Sequence, residues 1–355
     1  MRDQLFPHVS IIILNWNNWR DTITCLSSVL QLKYPNFSII LCDNHSTDHS
    51  IDKIHDWLQG QLSFQVDFPE IDNIVVKEHK PHIPYSIENY RYEEKEFKKV
   101  SETLHRLTRL ITVIDTGSNL GYGGGNNVGI RFALSRFNST FFWILNNDTF
   151  VLPNSLNELV TYQISRPNSH LIGSLILDFE NPSTVQMAGG ASYLSFFGVA
   201  TPSYNGFKLS TLKNLYPNGI PNHCDFISGA ALFMSRELID SVGMFEEQYF
   251  LYHEEIDLSL RGKGLFQNGF CERSIVLHKQ SATIPLKGKS DLKGEYFDLR
   301  SRLLFQIKFY PQNLLVFYFF MLFLFMKNLL IFDFQRVKMI VSIMISPKKN
   351  PYSHV

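Results

Sequence analysis

Short apolar, β-branched runs, each closed by polar side chains, recur through the first half of the chain, and no other feature narrows the possible folds so far. Residues 9–14 (VSIIIL) form one such run and residues 37–42 (FSIILC) another, with a segment of helical character over 21–32 between them. The pattern predicts a βαβ unit with parallel strands. Runs at 111–114 and 141–145 follow, the second preceded by a predicted helix over 126–136. Alternation of this kind builds a doubly wound α/β sheet. Ligands of such sheets gather at the carboxyl ends of the strands, so Asn15, Asp43, Asn44 and residues 146–148 are predicted to share one crevice.

A chain of 355 residues that is 45% apolar can bury the core of one large domain and carry an appendage. Its 33 basic and 33 acidic residues cancel, which removes the charge argument for a nucleic-acid partner. Cys25, Cys42, Cys224 and Cys271 are widely spaced, a pattern that argues against a zinc ribbon or disulfide framework and suits a reducing cytoplasm. The opening residues are wrongly flanked for a signal peptide, so the catalytic region is expected to stay where it is made. Residues 59–109 read as a charged insertion or mobile excursion, with EKEFKK at 94–99 as a solvated helical face. Residues 314–332 are almost wholly apolar, broken mainly by Lys327 and Asn328 and flanked by Lys308, Arg336 and Lys338. A clean span needs roughly 20 residues and tolerates an internal lysine poorly, so this segment is expected to lie in a membrane interface or form a hairpin there. A buried helix of the soluble core is the alternative, and the basic residues on both flanks leave orientation open.

Three segments and one histidine carry chemistry. Asn146, Asn147 and Asp148 follow the apolar run FFWIL, where a carboxylate can hold Mg2+ or Mn2+ while a substrate's phosphates complete the shell; a plain turn or helix cap has the same composition. Residues 119–127 (NLGYGGGNN) hold four glycines that allow close backbone approach to a ligand ahead of a helix start. A tight turn is the plainer reading, and the spacing falls short of the dinucleotide fingerprint because Asn126 stands where its third glycine belongs. Residues 250–261 (FLYHEEIDLSLR) set Glu254, Glu255 and Asp257 within about one helical turn, which suits either general-base work on a hydroxyl or a helix start decorated with acids. His278 follows SIVL; as a lone histidine it is either a metal ligand or structural.

In order, VSIIILNWNN, CDNHSTDHS, NLGYGGGNNVGI, ILNNDT, DFISGAALFMSRELIDSVGMFEEQYFLYHEEIDLSLR and IVLHKQSAT closely resemble the family 2 glycosyltransferases of the GT-A fold, especially the rhamnosyltransferase-like branch. The resemblance implies that Asn15 and Asn17 lie in the first nucleotide-contacting loop, that Asp43 contacts base or ribose with Asn44 beside it, and that Asn119 and Gly121 close over the nucleotide. It places Asn146, Asn147 and Asp148 at the DXD motif, with Asn146 replacing the first acid and Asp148 carrying the metal. His278 matches the histidine that joins metal and diphosphate. Glu255 falls at the catalytic base, where the family usually has Asp, with Glu254 adjacent and able to share the role. His253 replaces a common aromatic residue, and Lys279 stands where a second histidine often occurs.

The expected protein is therefore a metal-dependent, inverting glycosyltransferase that moves a sugar from a nucleotide diphosphate donor to a glycan hydroxyl. Within the resembling branch dTDP-rhamnose leads as donor, ahead of UDP-galactofuranose and other UDP-hexoses, and the acceptor is a lipid-linked bacterial oligosaccharide. The expected organisation is a GT-A domain over 1–302, split into a nucleotide-sugar half (1–150) and an acceptor half (151–302), followed by a membrane-associating segment over 303–355. The expected place is the cytoplasmic face of the bacterial inner membrane, peripheral or monotopic. Two rivals stand beside it: a non-catalytic nucleotide-sugar or glycan binding protein, favoured by Asn146, and a nicotinamide dehydrogenase using the glycine-rich segment.

Overall fold

The computed structural model describes residues 6–64, 85–105, 109–279 and 292–348. Parts of the charged excursion (65–84 and 106–108) and residues 280–283 of the last motif lie outside the described residues. The chain opens with β1 (Val9–Asn15), α1 (Trp19–Val29), β2 (Phe37–Asp43) and α2 (Ser50–Leu58). Ile11 and Ile13 pack with Ile23, Leu26 and Trp57 on one face of the sheet, while Ile12 and Ile40 pack with Val128 and Phe132 on the other. Burial on both faces is why these strands read as unbroken apolar runs.

The 94–99 stretch is not helical. Its residues belong to an antiparallel hairpin of β3 (Ser86–Glu93) and β4 (Glu96–Thr103). Glu94 and Lys95 make the two-residue turn, both with positive φ (53° and 66°), the conformation that matches strand twist in a tight hairpin. β3 pairs in parallel with β5 (Leu110–Asp115), leaving β4 as an edge whose charged side chains discourage pairing with another chain. A helical reading fails here because β4 is held by ladder pairing to β3, whose Ile87 and Tyr90 are buried in different core clusters.

Next come α3 (Gly121–Arg136), β6 (Phe141–Asn146), β7 (Thr149–Val151), α4 (Ser155–Ser165), β8 (Ser169–Asp178), β9 (Val185–Ala188), β10 (Gly190–Leu194) and β11 (Val199–Pro202). They are followed by α5 (Leu209–Leu215), β12 (Phe226–Ile227), β13 (Ala231–Ser235), α6 (Arg236–Val242), α7 (Glu254–Gly262) and β14 (Gln267–His278). Among the described residues eleven strands form one mixed sheet, in the order β4-β3-β5-β2-β1-β6-β13-β8-β14-β7 with β9 beside β8, and β11-β10-β12 form a small second sheet. β5, β2, β1 and β6 are mutually parallel neighbours. The chain thus reverses direction across the sheet between β1 and β6, the switch point where doubly wound sheets hold ligands.

The chain closes with α8 (Leu292–Phe309), α9 (Leu314–Leu330) and α10 (Phe334–Ile345). α8 runs unbroken through residue 302. Phe317, Met321, Ile340 and Ile343 of the last two helices cover its Phe297 and Leu303. The stretch Pro311–Leu330 has a mean hydropathy of 1.8 and is long and apolar enough to cross a membrane. One side of α9 packs on the protein, while Leu315, Phe319, Leu322, Phe323, Met326 and Leu330 remain exposed.

Candidate active site

The ends of β1, β2 and β6 bring three of the sequence-predicted residues into one buried network. Asn15 Nδ2 donates to Asp43 Oδ2 at 2.6 Å, and Asn147 Nδ2 donates to Asn15 Oδ1 at 3.2 Å across the switch point. Thr22 supplies its hydroxyl to Asn15 Oδ1 at 2.7 Å. Ser46 donates to Asp43 from both its backbone N–H and its hydroxyl, each at 2.7 Å. Burial nonetheless raises the Asp43 carboxyl above its ordinary range. Asn17, with φ of 52°, lies in the exposed loop above and accepts from Thr47 N–H at 2.7 Å. Asn44 and Asn119 meet one another next to Gly121: Asn44 Nδ2 donates to Gly121 O at 2.9 Å and Asn119 Oδ1 accepts from Gly121 N–H at 3.0 Å.

The helix expected over 126–136 begins earlier, within the glycine-rich segment, at Gly121. A Cβ at Gly121 would lie 2.1 Å from Phe250 O, one at Gly123 would lie 3.1 Å from the Glu254 side chain, and one at Gly125 would lie 2.5 Å from Leu14. Small residues here let α3 lie against both β1 and the loop leading into α7.

A second group surrounds a cavity of about 280 Å³ lined by Asn146, Asp148, His278, Glu254, Glu255 and Tyr122, among others. His278 Nε2 lies 3.2 Å from Asp148 Oδ1, and its Nδ1 is 3.0 Å from Gln186 Oε1. Gln186 also donates to His278 O at 2.8 Å, which fixes the imidazole's orientation. A carboxylate and an imidazole converging at a cavity wall are a donor set that fits Mg2+ or Mn2+, since such ions take few protein ligands when phosphates supply the rest. Among the described residues no group of three or more metal-ligating side chains occurs.

Glu254 and Glu255 open α7, and the loop before them is strained. Phe250, Tyr252 and His253 all have positive φ (70°, 68° and 77°), a costly state for bulky residues that persists where surrounding packing dictates it. Glu255 stands at the cavity wall, partly open to it, and enclosure by protein lifts its carboxyl to about 7. Glu254 is fully buried, with no hydrogen-bond partner at either carboxyl oxygen. Burial first, and then the negative neighbour Glu255, push its carboxyl well above the ordinary range. His253 is buried among Tyr193, Tyr249 and Phe305, and burial lowers its imidazole to about 3. An apolar-walled site thus accepts a histidine in place of the usual aromatic ring by keeping it neutral.

Sequence reading missed Gln186, Thr22, Ser46, Tyr122 and Asp21. Tyr122 donates to Gly229 O at 2.7 Å across the cavity's edge. Asp21 pairs with Lys279 at 2.8 Å, tying the end of β14 to α1. Gln186, Thr22 and Asp21 belong to no pattern quoted from the sequence, whereas Ser46, inside CDNHSTDHS, and Tyr122, inside the glycine-rich segment, had a signal nearby.

A family model described as glycosyl transferase family 2 matches residues 10–71 and 93–243. A low-salt glycan biosynthesis hexosyltransferase, Agl10, of Haloferax volcanii is 30% identical over 172 residues, covering 48% of this chain and 52% of that one. An N-acetylglucosaminyl-diphospho-decaprenol L-rhamnosyltransferase of Mycobacterium tuberculosis is 27% identical over 187 residues, covering 48% of this chain and 59% of that one. The matches thus span about half the length of these relatives. Among solved structures, GalNAc-T7 with UDP, GalNAc and Mn2+ superposes with a TM-score of 0.52 at 15% identity, covering 83% of this chain and 47% of that one. The mannosyltransferase PcManGT of Pyrobaculum calidifontis with GDP-Man and Mn2+ gives 0.50 at 11% identity, covering 96% and 86%. Their likeness establishes the GT-A fold. With well over half of its residues matched by the family model, the chain belongs to glycosyl transferase family 2.

Proposed function

We propose that the chain transfers a sugar, with inversion, from a nucleotide diphosphate donor to a hydroxyl of a lipid-linked glycan. The observation that carries this reading is one cavity lined by Asp148, His278 and Glu255 beside the Asn15–Asp43–Asn147 network. Asn15, Asn17, Asp43, Asn44, Asn119, Gly121 and Asn147 form the nucleotide side, and Asn146 links it to the cavity. Asp148 and His278 would hold Mg2+ or Mn2+, which supplies charge neutralisation to the departing diphosphate. Glu255 takes the proton from the acceptor hydroxyl as its oxygen bonds to the anomeric carbon and the bond to the diphosphate breaks on the opposite side. Its elevated pKa suits a base working near neutral pH. Glu254, buried behind it, shapes that environment.

dTDP-rhamnose is the favoured donor, with UDP-galactofuranose and other UDP-hexoses behind it. The naming of one relative for an L-rhamnosyl group and a diphospho-decaprenol acceptor supports both halves of the reaction. The exposed face of α9 supports residence at a membrane surface, which we assign to the cytoplasmic side of a bacterial inner membrane, with residues 1–302 as the catalytic unit in two halves. Thermal unfolding with dTDP, UDP and NAD tests the ligand class, because only a ligand of the folded state raises the midpoint. A rise with dTDP or UDP plus Mn2+ is expected, and a rise with NAD alone would return the dehydrogenase reading. Donor turnover then separates an enzyme from a binding module.

A further inference from the structure

The β10–β11 hairpin ends in Leu194-Ser195-Phe196-Phe197-Gly198, a tip that buries little of its apolar surface. Leu194, Phe196 and Phe197 are 57%, 48% and 56% exposed, and the two phenyl rings sit edge to face with centroids 5.1 Å apart. No charged residue occurs between positions 192 and 200. The tip is held in place nevertheless. Ser195 O accepts from Gln306 Nε2 at 2.6 Å and from Asn313 Nδ2 at 3.2 Å, and Tyr193 packs against Phe305 and Tyr310. Asn313 immediately precedes α9, whose Leu315 and Phe319 are exposed just beyond it. Two apolar surfaces from distant parts of the chain are thus fastened side by side through one carbonyl.

We propose that this tip is a second lipid-contacting element, entering the same bilayer surface as α9; the proposal rests on the reading of α9 as a membrane-surface helix. A lipid surface fits better than a protein partner because the tip's exposed side chains are two rings and an isobutyl group, held beside the exposed apolar side chains of α9. The adjoining helices place exposed Lys327 and Lys338 beside the apolar face, where their stems lie along lipid and their ammonium groups meet anionic headgroups. The arrangement also positions the active site. Pro202, at the far end of β11, lines the catalytic cavity, so four residues of strand at about 3.3 Å each, roughly 13 Å, separate the cavity wall from the tip. The cavity wall then comes to rest just beyond a headgroup layer of about 5–8 Å, where a sugar carried on a membrane-anchored diphosphate presents its hydroxyls.

Sedimentation of the full chain with vesicles of phosphatidylglycerol and phosphatidylethanolamine tests this. The Phe196→Ser/Phe197→Ser variant is expected to bind at least about tenfold more weakly than the unaltered chain, with unchanged turnover on a water-soluble acceptor showing that its site is intact. A Phe197→Trp variant is expected to be quenched by lipids brominated in the acyl chain. Wild-type binding by the double variant together with an unquenched tryptophan would overturn the proposal. If Leu315→Ser/Phe319→Ser then abolishes binding, the α9 reading survives alone. An unaltered chain that ignores vesicles would overturn both.

Discussion

Glu254 and Glu255 share a peptide bond and differ in what surrounds them, and this difference assigns their work. Glu255 meets the cavity, and Glu255→Gln keeps its size while removing its ability to take a proton. Turnover is expected to fall by roughly 10²-fold or more with donor affinity little changed, measured by initial rates and by titration calorimetry with the donor. Loss in Glu254→Gln with retention in Glu255→Gln would move the base to the neighbour. Because a base works deprotonated, the rate is expected to fall as pH drops below about 7, a limb that Glu255→Gln removes. Stability carries the opposite sign. Both carboxyls titrate above their ordinary value of 4.5 in the folded chain, so the stability they contribute is complete below about pH 4.5 and is lost as pH rises through the folded values. Glu254→Gln is expected to gain stability relative to the unaltered chain as pH rises from 4 into the alkaline range, as read by urea denaturation. Asp148→Ala is expected to abolish transfer, as excess chelator should; full activity in chelator would remove the metal from the account.

At the scale of elements, α8 holds the loop that leads into Glu254 and Glu255. Arg300, fully buried, donates to Gln248 O and Tyr249 O at 2.9 and 3.1 Å, and Ser301 donates to Tyr249 O and Leu251 O at 3.2 and 2.9 Å. These bonds satisfy the carbonyls of the strained run that leads into Glu254 and Glu255. Lys308 adds an ion pair of 2.6 Å to buried Asp257 on α7. Arg300→Ala leaves Gln248 O without its donor and Tyr249 O with Ser301 alone, and is expected to cost about 1–3 kcal/mol along with most activity, measured by denaturation and by turnover at permissive temperature. Truncation after Gln312 would also strip the cover from Phe297 and Leu303, so substitutions on the exposed face of α9 test membrane residence more cleanly. Strands β1, β2, β5 and β6 were legible because helices bury them on both faces, which forces continuous apolar runs. The β3–β4 hairpin was not, because an edge strand that faces water carries charges that read equally well as a helix surface. The start of α3 was misplaced by five residues, since glycines disfavour a helix interior by propensity and are kept here by the close approach of β1 and Phe250.

Across the whole molecule, the predicted site residues separate into a group at the ends of β1 and β2, proposed to hold the nucleotide, and a cavity group, and the two sides meet at the switch between β1 and β6. The ordered motifs made these positions legible, because each sits at the end of an element that the sequence also marks. Gln186 and Asp21 were illegible, because their importance lies in touching His278 and Lys279 across long stretches of chain. Joint action of the two sides in sugar transfer is the proposed activity. Its most direct test is release of nucleoside diphosphate from a panel of dTDP-, UDP- and GDP-sugars by the full chain, with Mn2+ or Mg2+ and a polyprenyl-diphosphate-linked acceptor. Metal-dependent, acceptor-stimulated release from one donor, foremost dTDP-rhamnose, is the predicted result. Tight donor binding with no release from any donor, with or without metal, would contradict it and leave a binding protein in its place.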